Sequence, residues 1–454
     1  MPKANTMIVL PPALRGPGML KSPPLDIANL AAILRQDADN HVTLADFRKN
    51  VVNSPSFYQE RGIDLSIFND FKRCLRHFLN EDAEITRNAG RILAGTNFAG
   101  IQYAVFSVMV LEQFSLPHLL SSLCLARHVK QGFPRVKIVF FGNCPDAHIE
   151  KMIKLFKFID VFPIGGNELY AADCIRGRME GAYYRKNGKV FPPKAPREVE
   201  LDRFPLPDFS LFDLESYKAN GGLILPYELS RECINSYYYF YYLHKATIST
   251  KEPAKAVAEL IALSREYHTD LFHFMDVAIN LDPGWLMRFC DFLARQPEKI
   301  KWCALALPNM HKSLLDKLKA AGCVQLRWGV ESGSARMLKS IDQGTTKESI
   351  KNTLAYAHSI GINNYITLVS GLEGELESDV QETKAFLEEI APYVDSAKEC
   401  IYGELGHFSL GVFESYMKYA HVQKAESRYK ETLERLGVGQ EDIIDFMTRQ
   451  VSVR

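Results

Sequence analysis

Residues 302–329 read WCALALPNMHKSLLDKLKAAGCVQLRWG. Trp302 to Leu307 is a short apolar run, Lys312 to Ala320 sets Leu314, Leu315 and Leu318 at helical spacing, and Gln325 to Gly329 is a second strand-length segment. A strand, a helix with one apolar face and another strand form a βα repeat. Two strands joined through a helix must pair in parallel, because only a crossover of this length carries the chain back to the same end.

The same alternation extends in both directions. Before it, the pattern predicts strand 223–228, helix 253–267, strand 271–275 and helix 285–293. After it come helix 347–358, strand 365–369, helix 378–389 and strand 395–401. Thr345, with Glu348 three residues on, reads as a capping box for the helix at Lys347. Six βα units without a reversal signal predict a partial (β/α)6 TIM-type barrel, with its active site at the C-terminal ends of the strands. A charged helix, 424–436, ends at Gly437 and Gly439.

Upstream the strands are equally apolar: 6–10, 42–45, 102–108, 136–141 and 160–163. Helices at 26–35, 117–128 and 146–156 separate most of them. Residues 53–95 are more polar and read as an insertion covering one edge of the sheet. Apolar strands alternating with helices imply a parallel sheet covered on both faces, a Rossmann-like domain. Arg176 to Arg203 carries eight Lys or Arg against four Asp or Glu, with Pro192, Pro193 and Pro196, and reads as a linker. The expected domains are 1–170 (Rossmann-like), 171–215 (linker), 216–405 (partial barrel) and 406–454 (helical extension).

Composition narrows the function classes. Of 454 residues 47% are hydrophobic and 24% charged, which excludes a mostly disordered chain. Lys plus Arg and Asp plus Glu are both 54, so no global cationic field draws the protein to nucleic acid. The apolar stretch at the N-terminus is broken by Pro11 and Pro12, and the region 101–120 by Gln102, Glu112, Gln113 and Pro117. Neither reads as a signal or a membrane span, so a cytoplasmic protein with no membrane partner is expected. Nine cysteines without paired close spacing argue against a disulfide framework and a C-x-x-C zinc site.

At the end of the first barrel strand stands SRECINSYYYF, residues 230–240. Three further segments lie on other barrel strands: DLFHFMD, 270–276, with NLDP, 280–283; KAAGC, 319–323, with RWGVESGS, 327–334; and GLEGE, 371–375. Together they resemble the radical SAM superfamily, in the branch with an N-terminal cobalamin-binding-type domain, over nearly the whole chain. Leu10-Pro-Pro12 and Pro23-Pro-Leu25 resemble that N-terminal domain. The family carries C-x-x-x-C-x-x-C at the first strand, where three thiolates hold a four-iron, four-sulfur cluster whose fourth iron chelates S-adenosylmethionine. Here the three positions are Cys233, Tyr237 and Phe240. A phenol and a phenyl ring do not replace thiolates, so the standard cluster is not expected and no metal site is assigned.

The resemblance implies cofactor contacts at Asp276, Gly329, Glu331, Ser332 and Gly371, with Gly329 and Gly333 allowing close backbone approach. Glu373 stands where the family usually has Pro. The D-x-H-x-x-G signature of His-ligated cobalamin is absent: in Asp146-Ala-His148 the Gly is replaced by Lys151, and His148 reads as the first turn of a covering helix. Asn143 stands where a second Gly is common in the family. S-adenosylmethionine, S-adenosylhomocysteine and cobalamin are thus the implied cofactors. Tyr237 to Tyr242, six consecutive aromatics, read as a plug or a peptide-binding surface, and His244 as a hydrogen-bonded residue rather than a ligand. The leading expectation is a degenerate, ligand- or substrate-binding member or partner subunit in natural-product or modified-peptide biosynthesis, acting on a small molecule or peptide. The alternatives are a methyltransferase using polar, cluster-free chemistry and a radical enzyme with a displaced ligand set.

Overall fold

A computed structural model describes residues 4–12, 22–49, 56–108, 115–142, 144, 146–194, 200–233, 247–372, 374–401, 427–439, 446–447 and 449–450. The chain forms two compact units, Met1–Glu198 with Phe204–Tyr217, and Val199–Arg203 with Lys218–Arg454.

In the first unit β1 (Ala4–Leu10), β2 (Asn40–Asp46), β3 (Tyr103–Ser107), β4 (Lys137–Phe141) and β5 (Val161–Pro163) are parallel, in the order β2-β1-β3-β4-β5. Ile8, Val9, Ala104, Val105, Phe140 and Phe141 are fully buried, as strands covered on both faces require. Because β1 sits between β2 and β3, the order reverses at its C-terminal end. A crevice opens there in sheets of this type.

Two readings of this unit need correction. The sheet does not end at β5: β6 (Ala182–Lys186) and β7 (Lys189–Phe191) extend it as an antiparallel hairpin inside the segment taken for a linker. Its two-residue turn is Asn187-Gly188, with φ of 50° and 77°, as a primed turn demands. Helix Glu168–Ile175, N-capped by Asn167, runs up to that segment and overlaps the expected linker from residue 171. The second correction concerns the insertion, which covers helix Ser115–Gly132 rather than a sheet edge. Arg127 lies 5.8 Å over the Phe78 ring, and a Cβ on Gly90 would come within 3.3 Å of His128. Phe78 also meets Phe156 edge-on at 4.8 Å.

The second unit is the expected partial barrel. β8 (Ile224–Tyr227) is followed by an antiparallel pair, β9 (Ser230–Cys233) and β10 (Thr247–Thr250). Then come β11 (Leu271–Phe274), β12 (Lys301–Ala306), β13 (Cys323–Glu331), β14 (Asn363–Ser370) and β15 (Ser396–Ile401). The six barrel strands are parallel, in the order β15-β14-β13-β12-β11-β8.

Alternate residues of each strand face the helices or the lumen. On the helix side Phe274 stacks on Trp302 at 4.9 Å, and the Trp328 indole donates to Asn364 at 2.8 Å. On the lumen side Ile224, Leu271, Cys303 and Tyr365 form an apolar floor with Met447.

Helix Lys347–Ser359 is capped one residue later than expected. Thr346 Oγ1 accepts from Ser349 N at 3.1 Å and Ser349 Oγ accepts from Thr346 N at 2.9 Å, while Thr345 Oγ1 is buried without a partner. A further short helix, Ala335–Ile341, follows β13, with Ser334 as its N-cap. Of the C-terminal charged helix, Lys430–Arg435 is described and 424–426 are not. Among the described residues no helix is long and apolar enough to cross a membrane.

Candidate functional site at the barrel mouth

Parity sets what each strand offers the lumen. Leu271 lies in the floor, so His273 faces the same way one step higher, and the same step takes Cys303 to Leu305 and Tyr365 to Thr367. Trp328 faces the helices, so Arg327 faces inward, and its guanidinium lies 5.5 Å over the Tyr365 ring.

Above this layer the register of β13 against β14 shifts between Gly329 and Glu331. Glu331 itself adopts φ 61°, a left-handed conformation that costs a non-glycine residue about 1 kcal/mol or more. The bulge and the positive φ fold the side chain back over the strand. A Cβ on Gly329 would lie 2.7 Å from Glu331 Oε1. Gly329 therefore makes room for the carboxyl of Glu331.

Glu331 is 5% exposed, and among the described residues its carboxyl makes no hydrogen bond or ion pair. Burial pushes its pKa up to about 8, although Arg327 nearby pulls the other way. At neutral pH the group is mostly the acid, able both to donate and to accept.

The other expected site residues are deployed differently. Asp276, just past β11, accepts from Leu229 N at 3.1 Å and from Ser230 N and Ser230 Oγ at 2.6 Å each. Its carboxyl pins the corner between β8 and β9, at the root of the segment that carries Cys233. Burial raises its pKa to about 7 despite those donors.

Ser332, expected to face a cofactor, is fully buried. Its Oγ lies 3.1 Å from Thr383 Oγ1 and accepts from Ser334 N at 3.1 Å, so it joins β13 to helix Glu377–Ile390. The close approach at Gly333 serves the same joint, for a Cβ there would come within 2.7 Å of Phe386 and 2.8 Å of Thr383. Gly371, at the end of β14 with φ 77°, donates its N–H to Glu375 Oε2 at 2.6 Å. Glu331, Gly371 and Asp276 thus share the C-terminal rim of the barrel, while Ser332 lies behind it.

Cys233 stands at the end of β9, and Tyr237 to Tyr242 and His244 lie outside the described residues, as does Glu373. Of the eight other cysteines seven are buried and Cys400 is half-buried. Cys303 belongs to the lumen floor, and Cys400 packs against a cluster containing Met337, Ile341, Val369 and Leu372.

In the first unit His148 is 2% exposed, and His118 Nε2 lies 3.0 Å from the Ser107 carbonyl, with its pKa lowered by burial to about 4. The His118 imidazole is engaged by the fold itself.

Sequence reading did not single out Arg327 or His273 as site residues. Both lie inside segments quoted for other reasons. Strand parity alone would have turned them inward.

A six-stranded partial barrel, with a strained carboxyl at its C-terminal mouth that makes no hydrogen bond among the described residues, and a parallel sheet with a switch point together define an α/β protein. Comparisons with known proteins show what the chain is similar to. Residues 233–387 match the family model of the Radical SAM superfamily. The chain carries a radical SAM domain and has the fold of the branch with an N-terminal cobalamin-binding-type domain.

An uncharacterized methyltransferase of Pyrococcus horikoshii is 25% identical over 46% of this chain and 47% of its own length. The cytidylyl-2-hydroxyethylphosphonate methyltransferase of Streptomyces wedmorensis is 23% identical over 41% of this chain and 38% of its own. The matches thus span about half or less of these curated relatives.

Among solved structures, the cobalamin-dependent S-adenosylmethionine radical enzyme OxsB, with aqua-cobalamin and S-adenosylmethionine bound, superposes with a TM-score of 0.58 at 18% identity, covering 96% of this chain and 56% of that one. The radical S-adenosylmethionine methyltransferase TsrM from Kitasatospora setae, with cobalamin and a [4Fe-4S] cluster bound, gives a TM-score of 0.61 at 13% identity, covering 88% and 75%.

Proposed function

We propose that this protein binds a nucleoside-bearing ligand, S-adenosylmethionine or S-adenosylhomocysteine, at the barrel mouth and works in methyl-transfer chemistry without reductive cleavage on a standard cluster. Glu331 carries this reading. The fold spends backbone strain and carboxyl desolvation on one residue and gives that carboxyl no partner among the described residues. Costs concentrated in this way mark a functional site. A carboxyl that can donate and accept suits the adjacent hydroxyls of a ribose, and Gly371 on the neighbouring strand offers a rim without a side chain.

The cluster does not fit. Cys233 is followed by Tyr237 and Phe240 at the two other ligand positions, and the cysteines placed in the fold are committed to cores. Bound S-adenosylmethionine would supply an electrophilic methyl group. Asp276 would then hold the β8–β9 corner in place, while Glu331 orients the nucleoside.

Cobalamin, if bound, would be held at the switch point beside β1 and β3 and would supply a methyl-carrying cobalt centre there. The methyltransferase names of the relatives favour transfer over a purely scaffolding role. Natural-product or modified-peptide substrates remain part of the proposal.

Calorimetry tests it. S-adenosylhomocysteine should bind the parent protein, and Glu331→Ala should weaken binding about tenfold, the upper end for one neutral hydrogen bond. No heat at millimolar ligand would overturn the reading.

A further inference from the structure

Beneath Glu331 the lumen holds a charge that the fold does not balance. Arg327 faces inward from β13, paired in register with Leu305 on β12 and Tyr365 on β14. Its Nε is buried without a hydrogen-bond partner, and among the described residues no carboxylate forms an ion pair with the guanidinium.

The titratable neighbours leave the charge standing. His273, on the same lumen face, is held neutral by burial and by the guanidinium, its pKa lowered to about 4. Glu331, with its pKa near 8, is mostly protonated at neutral pH. Lys398 stands opposite Thr367 in the register of β15, on the same face. Around Arg327 lie the Tyr365 ring and the apolar floor, which supply no counter-ion.

A half-buried guanidinium whose Nε is cut off from water calls for a paired, hydrogen-bonded anion. Its planar fork matches a carboxylate or a phosphoryl group.

We propose that the lumen receives a substrate bearing an oxyanion, a carboxylate or a phosphoryl group, which pairs with Arg327 below the Glu331 carboxyl. The inference rests on the reading of the barrel as a ligand site and names the substrate class for it. The floor of Ile224, Leu271, Cys303 and Met447 closes the lumen below Arg327, so the anionic end enters first. The reacting part of the substrate then lies toward the mouth.

The test uses inorganic phosphate and acetate as probes. Melting temperature is measured against each anion at constant ionic strength set with chloride, for the parent and for Arg327→Gln. We expect saturable stabilisation of the parent and an apparent affinity about tenfold or more weaker in the variant, as loss of one charge-assisted pair implies. A stronger phosphate arm assigns a phosphoryl group, and a stronger acetate arm assigns a carboxylate.

Equal responses of parent and variant to both anions would overturn the proposal. Should Arg327→Gln fail to fold, crystals of the parent soaked in selenate decide: anomalous density at the guanidinium supports the site, and its absence overturns it. S-adenosylhomocysteine titration of the parent runs in parallel. Intact nucleoside binding without an anion response sinks this inference alone, whereas lost nucleoside binding sinks the reading beneath it.

Discussion

Glu331 shows what a residue can disclose when its costs are counted. In the unfolded chain its carboxyl titrates near 4.5, and in the folded protein near 8. Between those values the folded state holds the extra proton, so stability falls as pH rises across the interval. Glu331→Gln removes the titration. Its melting temperature should match the parent near pH 5 and exceed it increasingly up to pH 8. Asp276, raised to about 7, adds the same slope to both proteins and cancels in the difference. Parallel melting curves across that range would show that Glu331 is not buried as described. The sequence placed a carboxylate at the end of a strand. It could not show the register shift and the positive φ that turn the group over Gly329, because both arise from pairing with β14.

At the scale of elements, what was legible followed from apolar periodicity. The helices Pro253–Tyr267 and Lys312–Ala320 match their expected bounds, and each barrel strand lies within a few residues of its expected place. The missed elements are polar or short. The β6–β7 hairpin hid in a charge-rich stretch, and β9 and β10 have the unremarkable sequences SREC and TIST. The inward network of Ser332 was invisible because its partner Thr383 lies far along the chain.

One buried side chain binds several elements at once. Asn364 on β14 accepts from the Trp328 indole and donates to the carbonyls of Leu354 at 2.8 Å and Tyr393 at 2.7 Å. Asn364→Ala would orphan a donor and two acceptors in a fully buried place. It should cost about 3 kcal/mol or more in chemical denaturation. A loss under about 1 kcal/mol would mean that water replaces the amide.

For the whole molecule, the sharpest expectation concerns iron. After anaerobic reconstitution with iron and sulfide the protein should carry well under one four-iron cluster per chain, because one thiolate position of three is kept. A full complement of iron, with its absorption lost in Cys233→Ala, would restore the radical enzyme reading.

The antiparallel stem sharpens what such a loss implies. β9 and β10 pair from Ser230 with Thr250 to Cys233 with Thr247, and Asp276 fixes the first residue of the stem. The stem therefore delivers Cys233 and Thr247 side by side, as the two ends of the segment that holds positions 237 and 240. The six barrel strands draw their residues from elsewhere in the chain, so the sequence between those ends can differ while the strand register stays the same.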